Sequence, residues 1–397
     1  MKSIATKKVI ALTGNDAVAE AMRQIDPDVV PAYPITPQTE LMHKFADYVA
    51  DGDVKTELVL VESEHSAMSA AVGASAAGSR VMTATSANGL ALMWEIVYIA
   101  ASSRCPLVMT VVNRALSGPI NIHCDHSDSM GARDAGWIQL HSENGQEAYD
   151  NVLQAVRIAE DEDVKLPVMV CLDGFIISHT IEPLEVIPDK TVQEFIGEFR
   201  PVHNLLDSDK PFTFGPLDFH DYYFEHKVQQ IKAMEKAPNV IESVGIEYGK
   251  LTGRKYGHVE AYKTEDAERI MIALGSTCGT IKFVVDELRA KGEKVGLLKI
   301  RSFRPFPVKQ VRAALAGAKA VAVLDRSASF GAQGGPVMME VRSALYGETA
   351  PPIKGYIYGL GGRDINPDHI RQAFDEAKKV ASSGKSSDET GFLGVRE

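Results

Sequence analysis

Three polar side chains stand near the ends of apolar segments and carry groups that could do chemistry. Thr36 lies between two prolines in AYPITPQTEL, Glu64 comes just after LVLVE, and Arg114 comes just after PLVMTVV. A hydroxyl can donate a hydrogen bond, a carboxylate can hold a proton, and a guanidinium can bind a carboxylate with two parallel hydrogen bonds. Because open α/β sheets bind ligands at the carboxyl ends of their strands, we expect the three residues to converge on one site.

Each of these residues also has a purely structural interpretation. The proline after Thr36 suits the first position of a helix, which makes Thr36 a candidate N-cap. A carboxylate at a helix N-terminus, such as Glu64, is stabilised by the helix dipole, and Glu62 and His65 are similarly placed. Arg114 could form a structural salt bridge. Residue types alone leave both interpretations open.

Two further segments could hold a ligand. The loop NRALSGPINIHCDHSDSMGARDAGW (113–137) is long for a strand-to-helix connection, and its apolar anchors indicate order, so we expect it to be functional. Its HCDHSD segment matches metal-ligand spacing poorly, and we predict no metal site. The Gly-rich SFGAQGG (329–335) lacks a P-loop motif and predicts a tight turn rather than a phosphate site.

Charge and cysteine content narrow the function classes. The net charge of -11 and the lack of a basic stripe exclude a nucleic-acid-binding surface. No stretch approaches the ~20 apolar residues that span a bilayer, and no secretory signal is visible, so we expect a cytoplasmic protein with no membrane contact. The cysteines have no C-x-x-C pair, which predicts neither a disulfide framework nor a zinc site nor an iron–sulfur cluster held by this chain alone. They are Cys105, Cys124, Cys171 and Cys278.

The hydrophobic pattern predicts two α/β domains in series. From residue 1 to 181, continuous apolar strands alternate with helix-length segments, which is typical of a doubly wound parallel sheet. The predicted strands there are 58–62, 81–85, 106–112 and 167–173.

The rest of the chain divides into three segments. Residues 182–262 are rich in aromatics, Pro and Gly and predict an ordered connecting arm with one helical run near 222–236. The alternation resumes in a smaller α/β domain, residues 263–383, and residues 384–397 resemble a polar tail.

Several motifs, taken in order, resemble one family. YPITP, ESEHSAMSAAVGASAAG, TATSANGLALM, NRALSGPINIHCDHSDSMGARDAGWIQL and LDGFIISHT resemble alpha subunits of the pyruvate:ferredoxin oxidoreductase (pyruvate synthase) family. LDRSASFGAQGG and GYIYGLGGRD resemble the transketolase C-terminal-type domain that follows in the same family. The resemblance implies a thiamine-diphosphate-binding domain of the pyrimidine type, followed by a transketolase C-terminal-like α/β domain.

The resemblance also implies an activity and a set of site residues. The family carries out reversible oxidative decarboxylation of a 2-oxoacid with thiamine diphosphate, coenzyme A and ferredoxin. It implies that Glu64 hydrogen bonds N1′ of the aminopyrimidine so that the 4′-imino tautomer can act as base. It assigns Thr36 and Arg114 to the carboxylate and keto group of pyruvate. The residues expected to contact the cofactor are Glu64, Pro34, Ser86 and Asn88.

The remaining machinery is expected in partner chains. No G-D-G…N-type diphosphate motif is present, so the resemblance implies a beta subunit that holds the diphosphate and Mg²⁺. It also implies [4Fe-4S] clusters in beta and delta subunits and a gamma subunit for coenzyme A. The small-residue helix after Glu64 and the incomplete cofactor site predict a large subunit interface. Two alternatives remain: a sibling enzyme for 2-oxoglutarate or a branched-chain 2-oxoacid, and a non-catalytic scaffold subunit.

Overall fold

A computed structural model describes residues 8–386 and 389–396. The first α/β unit alternates strands with helices. Its elements are β1 (Lys8–Thr13), α1 (Gly14–Ile25), β2 (Val29–Ala32), α2 (Thr39–Asp51), β3 (Glu57–Leu60), α3 (Glu64–Ala76), β4 (Met82–Thr85), α4 (Ala87–Leu92), α5 (Trp94–Ser102), β5 (Val108–Asn113), α6 (Ser127–Gly131), β6 (Ile138–His141), α7 (Gly145–Glu160), β7 (Val168–Asp173) and β8 (Ile181–Val186).

The connecting region and the second unit follow in the same style. Their elements are α8 (Asp189–Ile196), α9 (Tyr223–Thr252), β9 (Val259–Tyr262), β10 (Arg269–Ala273), α10 (Thr277–Ala290), β11 (Val295–Ile300), β12 (Ser302–Arg304), α11 (Val308–Leu315), β13 (Ala320–Asp325), α12 (Pro336–Leu345), β14 (Ile353–Tyr358), α13 (Pro367–Ser383) and β15 (Gly391–Leu393). A short 3-10 turn, Leu360–Gly362, follows β14.

The predicted doubly wound parallel architecture is confirmed in the first unit. Strands β4, β5, β7 and β6 pair in parallel, and a parallel bridge between Val29 and Val81 brings the β2–β3 pair alongside β4. Every residue of β4, β5 and β7 is buried, because helices cover both faces of the sheet. This burial explains why these strands read as unbroken apolar runs.

The second unit is also a mainly parallel sheet, in the order β15-β14-β13-β10-β11-β9, with β9 antiparallel. Two features go beyond the predicted organisation. Strand β12 leaves this unit and pairs antiparallel with β6 of the first sheet, so the two units share a sheet edge. Strand β15, within the expected polar tail, pairs with β14 and buries Leu393.

Helix α9 is longer than the predicted helical run. It extends from Tyr223 to Thr252 and continues through Pro238. The carbonyl of Pro238 accepts a hydrogen bond from Nε2 of the His258 ring (2.9 Å). No helix of the described part of the chain is long and apolar enough to cross a membrane.

Candidate functional site

Glu64 is the first residue of α3 and is buried where β3 turns into that helix. The hydroxyl of Ser63, the N-cap, accepts a hydrogen bond from the backbone N–H of Ser66 (3.2 Å) and starts the helix here. Glu64 is only 6% exposed. Within residues 8–386 and 389–396, no group hydrogen bonds or pairs with its carboxylate.

Helix α4 passes closely over this carboxylate. A Cβ at Gly89 would lie 2.8 Å from Glu64 Oε1 and 2.5 Å from Thr85 Oγ1, so only glycine permits the approach. The hydroxyls of Thr85 and Ser86 are buried and have no hydrogen-bond partner. Buried polar groups in proteins are nearly always hydrogen bonded. Glu64, Thr85 and Ser86, which we call the open polar set, therefore keep unused hydrogen-bonding capacity within the described part of the chain.

The neighbours of Glu64 have different surroundings. Glu62 is exposed, and the Ser66 hydroxyl donates to it and lowers its pKa. His65 is half-exposed, with its Nε2 3.9 Å from Glu95 on α5. Of the acids that the sequence left open, only Glu64 is both buried and unpaired.

Asn88 and Pro34 lie on the surface of the same region. Asn88 is exposed, and its Oδ1 accepts a hydrogen bond from the Ser117 hydroxyl (3.0 Å). Its side chain is therefore hydrogen bonded to the 113–137 loop. Pro34 is exposed beside the Thr36 turn.

Thr36 is not a helix N-cap, so that prediction is wrong. Helix α2 begins at Thr39 and its N-cap position is Gln38. The backbone N–H of Gln38 donates to the carbonyl of Ile35 (2.8 Å), which closes a turn before the helix starts. Thr36 is exposed on this turn and precedes a cis peptide bond to Pro37.

The Thr36 turn is held against the ends of β5 and β7. The Asn15 side chain donates from Nδ2 to the carbonyl of Pro37 (2.9 Å). A Cβ at Gly174, just after β7, would lie 2.7 Å from the Pro37 ring and 2.4 Å from the carbonyl oxygen of Asn113. Close packing on this glycine sets the position of the turn.

Arg114 contacts the backbone of the Thr36 turn. Its Nη1 donates to the carbonyl of Thr36 (2.9 Å) and its Nε donates to the carbonyl of Asn121 (3.0 Å). Arg114 is 7% exposed. No carboxylate among the described residues pairs with its guanidinium, so the salt-bridge alternative is wrong and Nη2 remains available.

Asp128, which sequence reasoning missed, joins the two parts of the site. Its carboxylate accepts from the backbone N–H groups of Ala87 at the start of α4 (3.0 Å) and of Arg114 (3.0 Å), and from Asn113 Nδ2 (2.8 Å). Burial raises its pKa to about 6, although these donors favour the ionised form. The only signal in the sequence was its place in HCDHSDSM, where nothing distinguishes it from Asp125.

The HCDHSD segment lies at the junction of the two units. Donor atoms of Cys124, His126 and Asp173 lie within 4.8 Å of one another. Asp173 is already paired with Arg326 Nη1 (2.9 Å) and accepts from the Ser276 hydroxyl (2.5 Å). Burial opposes its ionisation, but these groups and His126 outweigh it and keep the pKa of Asp173 well below its usual range. The Arg326 guanidinium therefore already provides Asp173 with a positively charged partner.

The Gly-rich segment 329–335 forms a turn before α12 that is exposed at residues 330–333 and buried at Gly334 and Gly335. The carboxylate of Asp325 accepts from the backbone N–H groups of Val337 (2.7 Å) and Met338 (3.0 Å). A phosphate at this helix N-terminus would need the same backbone N–H groups. Because Asp325 already occupies them, the structure favours a tight turn over a phosphate site.

Two family models match the chain. Residues 20–245 match "Pyruvate flavodoxin/ferredoxin oxidoreductase, thiamine diP-bdg", and residues 267–370 match "Pyruvate:ferredoxin oxidoreductase core domain II". Together they cover both α/β units.

Individual relatives agree with these models. The pyruvate synthase subunit PorA of Thermotoga maritima is 62% identical over 389 residues, 98% of each chain. The ketoisovalerate oxidoreductase subunit VorA of Pyrococcus horikoshii is 45% identical over 381 residues, 96% of this chain and 95% of the relative. A structure of 2-oxoglutarate:ferredoxin oxidoreductase from Magnetococcus marinus with 2-oxoglutarate, coenzyme A and succinyl-CoA bound shares the fold. Its TM-score is 0.72 at 22% identity, over 94% of this chain and 65% of that one. The chain belongs to the pyruvate flavodoxin/ferredoxin oxidoreductase family.

Proposed function

We propose that this chain is the alpha subunit of a pyruvate:ferredoxin oxidoreductase. With its partner subunits it converts pyruvate and coenzyme A reversibly to acetyl-CoA and CO2, and passes electrons to ferredoxin. The observation that carries the proposal is the buried, unpaired Glu64 carboxylate within the segment that matches a thiamine-diphosphate-binding model. The 62% identity to a pyruvate synthase subunit supports pyruvate as the substrate.

The residues present fit one half of thiamine diphosphate. The open polar set offers a carboxylate and two hydroxyls to the polar edge of the aminopyrimidine. When bound, thiamine diphosphate supplies the nucleophilic carbon and stabilises the negative charge that loss of CO2 leaves on the substrate. The diphosphate and its Mg²⁺ are assigned to the beta subunit.

Glu64 is proposed to hold a proton at N1′ of the aminopyrimidine. Its carboxylate is unpaired, so the whole of its hydrogen-bonding capacity is available for this bond. Helix α4 covers the carboxylate at Gly89 and excludes water that would compete for the proton. Ser86 lies at the N-cap position of that helix with a free hydroxyl, next to the same cofactor edge.

Thr36 and Arg114 are proposed to bind the 2-oxoacid. Two backbone carbonyls fix Nε and Nη1 of Arg114, which leaves Nη2 to donate to the substrate carboxylate. The exposed Thr36 hydroxyl lies on the turn that this guanidinium holds, so it can donate to the carboxylate or the keto oxygen. Neither group changes its protonation state in this role.

The partner subunits follow from what this chain does not offer. All four cysteines are buried, free and separate, which supports iron–sulfur clusters in beta and delta subunits and a reducing, cytoplasmic location. Coenzyme A is assigned to a gamma subunit. Apolar side chains beside α4 are exposed, namely Leu92, Trp94 and Ile99, and support a subunit interface next to Glu64.

The competing substrate is a branched-chain 2-oxoacid, because a ketoisovalerate oxidoreductase subunit is 45% identical over 96% of this chain. The test is kcat/KM of the complete purified complex with pyruvate, 2-oxoisovalerate and 2-oxoglutarate under identical conditions. We expect pyruvate to be preferred by about tenfold or more, since a pocket built for a methyl group excludes larger side chains. Preference for either longer acid would overturn the pyruvate assignment and leave the family assignment intact.

A further inference from the structure

Asn121 connects Arg114 to the second α/β unit. Arg114 Nε donates to the backbone carbonyl of Asn121 (3.0 Å), and Asn121 Nδ2 donates to the backbone carbonyl of Gly361 (3.0 Å). The Asn121 Oδ1 accepts from the backbone N–H of His123 (2.7 Å), which fixes the orientation of the amide. Asn121 is half-buried on the 113–137 loop. Its backbone is thus hydrogen bonded to Arg114 and its side chain to Gly361.

The turn that receives Asn121 is built for close approach. Gly361 has φ 59° and Gly362 has φ 79°, conformations that other residues rarely adopt. A Cβ at Gly361 would lie 2.5 Å from Asn121 Nδ2, and one at Gly362 would lie 2.3 Å from the Cβ of His123. Any larger residue at either position would therefore strain the backbone and force Asn121 or His123 to shift.

Further bonds dock the same stretch of loop. The backbone N–H of Gly362 donates to the carbonyl of Cys124 (2.7 Å), and that of Gly361 donates to Asp125 Oδ2 (3.1 Å). These bonds hold the loop but do not reach Arg114. Among the described residues, only Asn121 is hydrogen bonded to both the guanidinium and the turn.

We propose that Asn121 is a positioning residue through which the Gly361 turn of the second unit sets the orientation of the Arg114 guanidinium. This inference rests on the proposed substrate role of Arg114. Thr36 and Asn121 supply the two carbonyls that fix the guanidinium plane, so a shift of either carbonyl rotates the free Nη2 edge. Hydrogen bonding of a planar guanidinium to a carboxylate depends on that orientation, and small misplacements weaken it.

The test is Asn121→Ala in the complete complex, with steady-state kinetics and thiamine diphosphate affinity measured together. The substitution keeps the carbonyl that accepts from Arg114 and removes the two side-chain bonds of Asn121, the anchor to Gly361 and the bond from the backbone N–H of His123. We expect KM for pyruvate to rise about tenfold, the equivalent of one lost hydrogen bond, with kcat and thiamine affinity nearly unchanged.

Asp125→Ala is the matched control, because it removes a contact with the same glycine without touching Arg114 or Asn121. We expect its KM to stay within about twofold of the parent value. A second probe is Gly361→Ala, whose methyl group would push on Asn121 Nδ2. Its effect on KM should not add to that of Asn121→Ala, since both act on one contact.

Arg114→Ala separates this inference from the proposed function. If Arg114→Ala raises KM and Asn121→Ala does not, or if Asp125→Ala raises KM equally, the positioning role is overturned while the substrate role stands. If Arg114→Ala leaves KM for pyruvate unchanged, the substrate role itself is wrong.

Discussion

Two buried polar regions of this chain differ in how their charges are partnered. In the open polar set, Glu64 is buried without a partner, next to two hydroxyls that are also unpaired. At the junction of the two units, Lys299 is 3% exposed and has its Nζ 2.6 Å from oxygens of Glu143, Glu147 and Glu260. A buried charge is costly unless it is paired, so the Lys299 network is satisfied within the fold, whereas the open polar set is not.

The pKa values follow the same contrast. Burial opposes the charge on Lys299, but the surrounding carboxylates outweigh it and hold the pKa of Lys299 above its ordinary value. Lys282 also pairs with Glu143 (2.8 Å) and Glu260 (2.9 Å), which completes the network. Removal of a group from this network is expected to reduce stability, and removal of a group from the open polar set is expected to reduce turnover.

The largest expected effect is that of Glu64→Gln. The amide keeps the shape of the side chain but cannot exchange a proton with N1′, so turnover of the complex should fall on the order of a thousandfold. The free energy of unfolding of the chain should stay within about 0.5 kcal/mol, because no partner in the fold is lost. Turnover and chemical unfolding measure the two quantities. Near-normal turnover in an assembled complex would instead favour the non-catalytic scaffold.

Lys299→Met tests the other side of the contrast. The substitution keeps roughly the length of the side chain but removes the positive charge that Glu143, Glu147 and Glu260 share. This loss should lower the free energy of unfolding by about 3 kcal/mol. Lys291→Met is the control: Lys291 is exposed just after α10 and, among the described residues, pairs only with Glu287 of that helix, so its loss should cost about 0.5 kcal/mol or less. Equal losses in denaturant unfolding of the two variants would show that burial of the network contributes nothing.

Asp128 lies between these extremes, and its expected effect is on the pH dependence of stability. It is buried and bonded only to neutral groups and backbone N–H groups, and its pKa is raised to about 6. The folded state therefore binds the proton more tightly than the unfolded state, whose value is 3.8. The stability due to this proton is fully present below pH 4 and is lost as pH rises through about 6.

The measurement for Asp128 is the free energy of unfolding between pH 4 and 7 for the parent and for Asp128→Asn. The free energy of unfolding of the parent should fall more steeply with pH than that of the variant. The difference in slope should reach up to about 1.4 kcal/mol per pH unit in that window. Asp325, whose pKa burial raises to about 7, contributes a slope of the same sign in both proteins and cancels in the difference. Parallel curves would mean that Asp128 ionises as freely in the fold as in the unfolded chain.

Much of the fold could be predicted because its strands are buried on both faces. Strand β5 was expected at 106–112 and lies at Val108–Asn113, and β7 was expected at 167–173 and lies at Val168–Asp173. Strand β12 could not be predicted, because a strand of three residues is too short to show an alternating hydrophobic pattern. Its partner β6 lies more than a hundred residues earlier in the chain.

The candidate site divides in the same way. The residue types and motifs predicted Glu64, Thr36 and Arg114 as site residues, and the fold brings the last two into contact. The N-cap prediction for Thr36 failed because a turn at Ile35 and Gln38 delays the helix to Thr39. The local sequence pattern cannot distinguish a helix cap from a turn here. The hydrogen bond between Gln38 and Ile35 decides between them, and it depends on how the backbone packs.

By itself, the sequence determined the two α/β units, the family and the residue types at the site, because periodicity and local motifs are written along the chain. Only the tertiary structure decided which acid is unpaired, that Asp128 joins the parts of the site, and that Asn121 meets Gly361, 240 residues away. Those outcomes depend on burial and hydrogen bonding between distant segments, and a group's partners exist only once the chain has folded.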